Sequence, residues 1–261
     1  MSTAHTTYEI QESLAVLTFN RPEARNAMTW EMYDALLAAC EDVDRDPAIR
    51  VLILRGAGGK AFIAGTDIAQ FEGFRSAEDG VEYERRLDDV LDRLERVTKP
   101  TIAQVQGVAA GGGCAIALCC DLRVATPEST FGVPIARTLG NCLSGDTCNR
   151  LIGLLGPARF KELMFTGRFI HAADAHELGL VNRIAGPDEV DRVVRELATG
   201  IASHAPLTIR AIKELTRRLI AKQRLARGED RDLIELCYAS ADFREGVAAF
   251  IQKRPPQWRG Q

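Results

Sequence analysis

The sequence predicts a mixed α/β body followed by a helical tail, and three observations carry that prediction. A β-type segment at 101–105 runs through the glycines Gly111, Gly112 and Gly113 into an apolar, Ala-rich segment with helical spacing at 114–120. The same order recurs upstream, where a short buried strand at 51–54 is followed by a glycine-rich connection that ends at a helix start near Ile68. From Pro187 onward, charged and apolar residues alternate at the helical period, with Gly200, Pro206 and Gly228 as breaks;.

Each element has a local reason. Alternating segments at 7–10 and 15–19 predict a hairpin turning at Glu12 and Ser13;. Thr29 is a good N-cap, and Tyr33, Leu36, Leu37, Cys40 and Val43 recur at helical spacing until Asp46 and Pro47 stop the helix;. The segment 76–97 is helical, polar and rich in Arg, Asp and Glu, which reads as a solvated face, and no chemistry is assigned to it. Short strands are predicted at 122–125 and 130–131, a loop at 132–143, and helices at 144–155 and 157–165. Gly179 ends a short helix that begins near Ala172;. The chain divides into a body at 1–202 and a helical region at 203–261.

The glycine turns admit two readings. Glycine lets a buried helix pack closely on a sheet, and it also lets the unpaired N–H groups at a helix start approach an anion. Two such turns favour the second reading, because a developing oxyanion is commonly held by two N–H groups from different loops. Ala64 and Gly112 are the candidate donors.

Composition bounds the alternatives. With 261 residues, 46% of them hydrophobic, the chain can bury one large core;. A net charge of −3 gives no electrostatic reason to expect nucleic acid or an anionic membrane as a partner;. The seven cysteines show neither zinc nor disulfide-framework spacing and read as buried, reduced thiols, and no metal site is expected;. No apolar run approaches the roughly 18 residues that span a bilayer, and the N-terminus lacks a signal region, so a cytoplasmic protein is expected;.

Several stretches together resemble the crotonase (enoyl-CoA hydratase/isomerase) superfamily. The two signature segments are Lys-Ala-Phe-Ile-Ala-Gly-Thr-Asp-Ile at 60–68 and Lys-Pro-Thr-Ile-Ala-Gln-Val-Gln-Gly-Val-Ala-Ala-Gly-Gly-Gly-Cys at 99–114. Asn-Arg-Pro-Glu-Ala-Arg-Asn-Ala-Met at 20–28, segments at 165–168 and 173–182, and the stretch at 243–254 extend the likeness over nearly the whole chain. The resemblance implies a spiral of strand-strand-helix units with a C-terminal helical region used for trimer assembly, as a homotrimer or a dimer of trimers. It implies an acyl-CoA thioester as substrate, its carbonyl held by the Ala64 and Gly112 N–H groups, with coenzyme A as part of the substrate and no tightly bound cofactor. Ala24 and Arg25 match the loop lining the nucleotide, and the stretch of Ala64, Gly65, Thr66, Asp67 and Ile68 lines the adenine and pantetheine path. Gly111, Gly113, Ala115 and Ile135 are further substrate-binding positions by the same resemblance. Lys253 and Arg254 resemble a basic pair that reaches a neighbouring subunit's phosphates.

Two departures matter. Hydratases of this family carry a glutamate directly after the Gly-Gly-Cys and another after the proline of the Phe-Gly-x-Pro-Glu segment. This chain has Ala115 and Ile135 there, and neither side chain can transfer a proton;. In the following loop Asp146 is the best replacement carboxylate, because dienoyl-CoA isomerases and an aryl-CoA dehalogenase carry a working aspartate in that region, although not at the same position. The competing reading is that Ser144 caps a helix and Asp146 sits in its first turn. The expected function is therefore stabilisation of a thioester enolate, by isomerisation, decarboxylation or a related step that uses Asp146, Cys142 or a substrate carboxylate. The rivals are an inert acyl-CoA binder and, more remotely, a serine hydrolase with Ser144 as nucleophile.

Overall fold

The computed structural model describes residues 3–261, and successive turns of its chain lay one strand in each of two sheets before a helix closes the turn. The chain opens on a hairpin of β1 (Thr6–Gln11) and β2 (Leu14–Phe19), with Glu12 at φ 56° in the turn. α1 (Trp30–Arg45) follows, and the Thr29 hydroxyl accepts from the Met32 N–H as its cap;. β3 (Val51–Gly56), β4 (Ala61–Ile63) and α2 (Ala77–Glu95) form one turn, and β5 (Thr101–Val105), β6 (Val108–Ala110) and α3 (Gly112–Cys119) form the next. β7 (Leu122–Ala125), β8 (Thr130–Gly132), α4 (Ile135–Thr138) and α5 (Gly145–Thr166) form the third. β9 (Ile170–His171), α6 (Ala172–Glu177) and β10 (Arg183–Ile184) lead to α7 (Val190–Ala202).

One sheet runs β1-β2-β3-β5-β7-β10 and is parallel except at the β1 edge; the other runs β4-β6-β8-β9, with β9 antiparallel. Parallel strands covered on both faces read as unbroken apolar runs, and β3 is one. Its Val51 and Ile53 pack under Val190 and Val194 of α7, while Leu52 and Leu54 face the main core with Met32 and Leu36.

The predicted order of elements holds, with four differences. The segment read as a solvated face is two-sided, because α2 buries Tyr83, Glu84, Leu87, Leu91 and Leu94. The loop at 132–143 contains α4, and the two helices after it join at Gly156, whose φ of 73° kinks α5. Gly200 does not break a helix: it lies inside α7, where an exposed glycine costs only about 1 kcal/mol;. The break falls before Pro206, which starts α8 (Pro206–Ala221) at its first position;. Of the seven cysteines, all free, three are buried and four half-buried.

The tail splits in two. α8 buries none of its residues, and Leu207 and Leu219 are 76% and 63% exposed. α9 (Arg231–Tyr238) and α10 (Ala241–Ile251) instead return to the body, where Ile234, Tyr238, Phe243 and Val247 join the main core. No helix among the described residues is long and apolar enough to cross a membrane.

Candidate active site

A cavity of about 680 Å³ opens where the two glycine turns meet. The end of β4 and the start of α3 abut: a Cβ added to Gly111 would lie 3.8 Å from the Gly65 Cα, and one on Gly112 would lie 3.4 Å from Thr66 Oγ1. The Ala64 N–H is not the donor expected from the sequence, because it is spent on the Arg25 carbonyl at 3.1 Å. The N–H groups of Thr66 and Gly112, by contrast, have no acceptor among the described residues, and both residues line the cavity. A third polar feature lies beside them. Thr66 Oγ1 sits 2.7 Å from Tyr33 Oη and 2.8 Å from Tyr83 Oη, in a buried chain of three hydroxyls.

The loop before α1 is held against the first glycine turn by Asn26. Its Oδ1 accepts from the Arg21 N–H, and its Nδ2 donates to the carbonyls of Ala57 and Ala61. Arg25 and Asn26 adopt left-handed backbone to make this possible;. That places Ala24 and Arg25 in the cavity wall. Asp67 caps the short turn Ile68–Phe71 through the Ala69 N–H and pairs with Arg21 at 2.6 Å, a supporting role that leaves it no free carboxylate.

Gly65, Ile68, Gly111, Ile135 and Lys253 also line the cavity, but four expected residues do not. Gly113 faces β4, where a Cβ would stand 2.3 Å from the Ile63 carbonyl oxygen. Ala115 is buried in α3 and lies outside the cavity wall. Arg254 is held by Glu245, which it grips with both guanidinium nitrogens and whose carboxyl it depresses to about 2. Asp146 sits in the first turn of α5, half-buried, behind the Ser144 cap that accepts from the Thr147 N–H. None of the four histidines lines the cavity, and the described residues hold no cluster able to bind a metal.

The residue missed from the sequence is Glu84. It is 1% exposed yet forms part of the cavity wall beside Tyr83 and Leu87. Its Oε1 accepts from Tyr238 Oη at 2.6 Å and its Oε2 from the Ser144 N–H at 3.0 Å. Burial pushes its carboxyl up to about 8 despite those donors, and burial raises neighbouring Asp88 to about 6;. The available signal was spacing: Gly80, Tyr83, Glu84, Leu87, Leu91 and Leu94 share one face of α2, and a glutamate sits inside that apolar stripe;.

The fold and the paired glycine turns define a class, and comparison with known proteins agrees. The enoyl-CoA hydratase/isomerase family model matches residues 9–261. The crotonyl-CoA hydratase of Syntrophomonas wolfei is 37% identical over 252 residues, covering 94% of each chain. The short-chain-enoyl-CoA hydratase of Clostridium acetobutylicum is 34% identical over 247 residues, with 94% of each covered. Among solved structures, an enoyl-CoA hydratase/carnithine racemase from Magnetospirillum magneticum superposes with a TM-score of 0.81 at 33% identity, over 100% of this chain and 97% of that one. A methylmalonyl-CoA decarboxylase in complex with 2-nitronate-propionyl-CoA superposes with a TM-score of 0.91 at 30% identity, over 100% of both chains. The chain belongs to the enoyl-CoA hydratase/isomerase family of the crotonase superfamily and is an enzyme of that family.

Proposed function

We propose that the chain binds an acyl-CoA thioester in this cavity and stabilises its enolate, with the acyl oxygen accepting from the N–H groups of Thr66 and Gly112. The observation that carries this reading is the pair of amides without an acceptor on abutting turns. Such a pair favours the charge that develops on the oxygen, and losing one donor typically costs about 10²–10³ in rate. Arg25, Arg137 and Lys253 line the cavity and have no ion-pair partner among the described residues, which supports them as the groups that meet the phosphates of coenzyme A;. Coenzyme A enters as part of the substrate, and no tightly bound cofactor is required.

Hydration is not the reaction proposed, because Ala115 and Ile135 stand where the water-activating glutamates belong;. A specific observation favours decarboxylation of a 2-carboxyacyl thioester as a second reading: the decarboxylase structures superpose at TM-scores of 0.90 and 0.91. Loss of CO2 makes the enolate without a base, so it tolerates the loss of both glutamates. The uncovered face of α8 supports assembly as a homotrimer or a dimer of trimers;.

The test is a screen of the purified protein against saturated, 2-enoyl, 3-enoyl and dicarboxylic acyl-CoAs, read by mass spectrometry and by binding. Conversion or α-hydrogen exchange of any of them supports the reading. Binding with neither would leave an inert acyl-CoA binder, and no binding would refute the assignment.

A further inference from the structure

The enolate reading leaves a proton without a carrier, since the two usual carboxyl positions are apolar. Glu84 is the buried carboxyl in the cavity wall; the other two acidic residues there are Asp67, which is paired to Arg21, and Glu72, which is exposed. A buried carboxyl needs a reason to be there, because an apolar side chain at that place would avoid its desolvation cost.

The surrounding hydrogen bonds supply one. Tyr238 Oη lies between Glu84 Oε1, at 2.6 Å, and Asn141 Nδ2, at 3.1 Å, and Asn141 also lines the cavity. Asn141 Oδ1 is buried without a partner. The chain is complete in either sense. With Glu84 ionised, Tyr238 donates to it and accepts from the amide. With Glu84 protonated, the carboxyl donates to Tyr238, whose hydroxyl turns to donate to the amide oxygen of a flipped Asn141. One amide atom of Asn141 is then left over in both states, as expected of a wall that a polar ligand completes. The position is also built for Tyr238, since a Cβ on Gly80 would lie 2.1 Å from its ring.

We propose that Glu84 is the acid/base residue of this site, exchanging a proton with the α-carbon of the bound acyl group through a carboxyl held by Tyr238 and Ser144. The proposal rests on the acyl-CoA reading. In the forward step the α C–H bond breaks, its electron pair enters the thioester enolate, and the proton goes to the Glu84 carboxylate. In the return step the carboxyl gives a proton back to carbon and the enolate collapses to the thioester. For a 2-carboxyacyl substrate, departure of CO2 forms the enolate, and protonated Glu84 supplies the proton that quenches it. A neutral carboxyl also avoids repelling such a substrate. Glu84 is faced by Asp88 on its own helix, Tyr33 on α1, Asp230 and Tyr238 from the tail, and Cys142 and Cys148 beyond Ser144.

The experiment follows α-hydrogen exchange of butyryl-CoA in D2O by mass spectrometry, alongside its Kd, for the full-length wild type, Glu84→Gln and Tyr238→Phe. The wild-type rate is expected to rise with pH through a midpoint near 8, because the carboxylate is the base. Glu84→Gln is expected to lose about 10²–10⁴ of the rate with Kd unchanged within a few-fold. Tyr238→Phe is expected to move the midpoint upward, since a donor that favours the carboxylate is gone. Wild-type exchange in Glu84→Gln, or a parallel loss of binding and rate, would overturn the role. Should Glu84→Gln not fold, an unmoved midpoint in Tyr238→Phe would overturn it equally. A wild type that binds no acyl-CoA would sink the acyl-CoA reading and this role with it, whereas normal binding and exchange indifferent to Glu84 would sink this role alone.

Discussion

Tyr238 Oη donates a 2.6 Å hydrogen bond to Glu84 Oε1, joining two residues 154 positions apart. The bond ties the tail helix α9 to α2 at the cavity wall. Ring contacts extend the tie, with Tyr238 and Phe243 centroids 4.7 Å apart and Phe71 and Tyr83 centroids 4.9 Å apart. The tail is therefore part of the site, and deleting it would open the wall and leave Glu84 without its partner.

Removing one of the two cavity amides should be costly. Gly112→Pro deletes an N–H at a first helical position where proline is otherwise tolerated. It is best made with Tyr33→Phe, because a Cβ at residue 112 would lie 2.9 Å from Tyr33 Oη. Against Tyr33→Phe alone, the double variant should lose roughly 10²–10³ in α-hydrogen exchange. A folded double variant that retains the full rate would refute the donor assignment.

Crotonyl-CoA hydration, followed by loss of the enoyl absorbance, should run orders of magnitude below that of a two-glutamate hydratase, each missing carboxyl being worth roughly 10²–10⁴. A rate comparable to such a hydratase would show that another residue activates the water.

Asp146→Asn should leave the rate on any substrate within about two-fold, because the side chain lies outside the cavity wall. Its expected effect on stability is small, because burial raises the Asp146 carboxyl and offsets what the helix dipole contributes;. A hundred-fold loss of rate with normal binding would restore it as an acid/base candidate.

Stability should depend on pH through Glu84. Its folded carboxyl titrates near 8, above the ordinary glutamate range, so its contribution is fully present below the unfolded value and is lost as pH rises through about 8;. Between about pH 5 and 8 the wild type should lose stability relative to Glu84→Gln, by at most about 1.4 kcal/mol per pH unit for one proton. Chemical denaturation of both proteins across that range checks it, and a constant difference would contradict the raised carboxyl.

Assembly should depend on α8. Light scattering of the full chain should give a trimer or a multiple of it, and Ile212→Asp with Leu219→Asp should dissociate it, since both residues are more than 60% exposed in the single chain;. A wild-type monomer would exclude the trimer.

Much of the architecture was legible because it is local. Thr29 as a cap, the hairpin turn at Glu12, the unbroken run of β3 and the break at Pro206 each act within a few residues. The glycine turns were legible for the same reason, and so was the presence of Ala115 and Ile135, which carry no carboxyl. The choice of donor within the first turn was not. Whether the Ala64 or the Thr66 amide is left unpaired depends on the Arg25 carbonyl, 39 positions from Ala64, which takes one and leaves the other.

Glu84 shows the same limit more sharply. Its charge and its neighbours Glu82, Arg85 and Arg86 make the segment look solvated, and only the 3.6-residue period distinguishes its face from theirs;. Sequence alone determined the elements, the two glycine turns and the apolar residues at 115 and 135, since those rest on backbone preference and residue identity. Only the tertiary structure decided which amides stay unpaired and which carboxyl is buried. Those properties belong to pairs of residues far apart in the chain, as when Tyr238 and Ser144 close over Glu84.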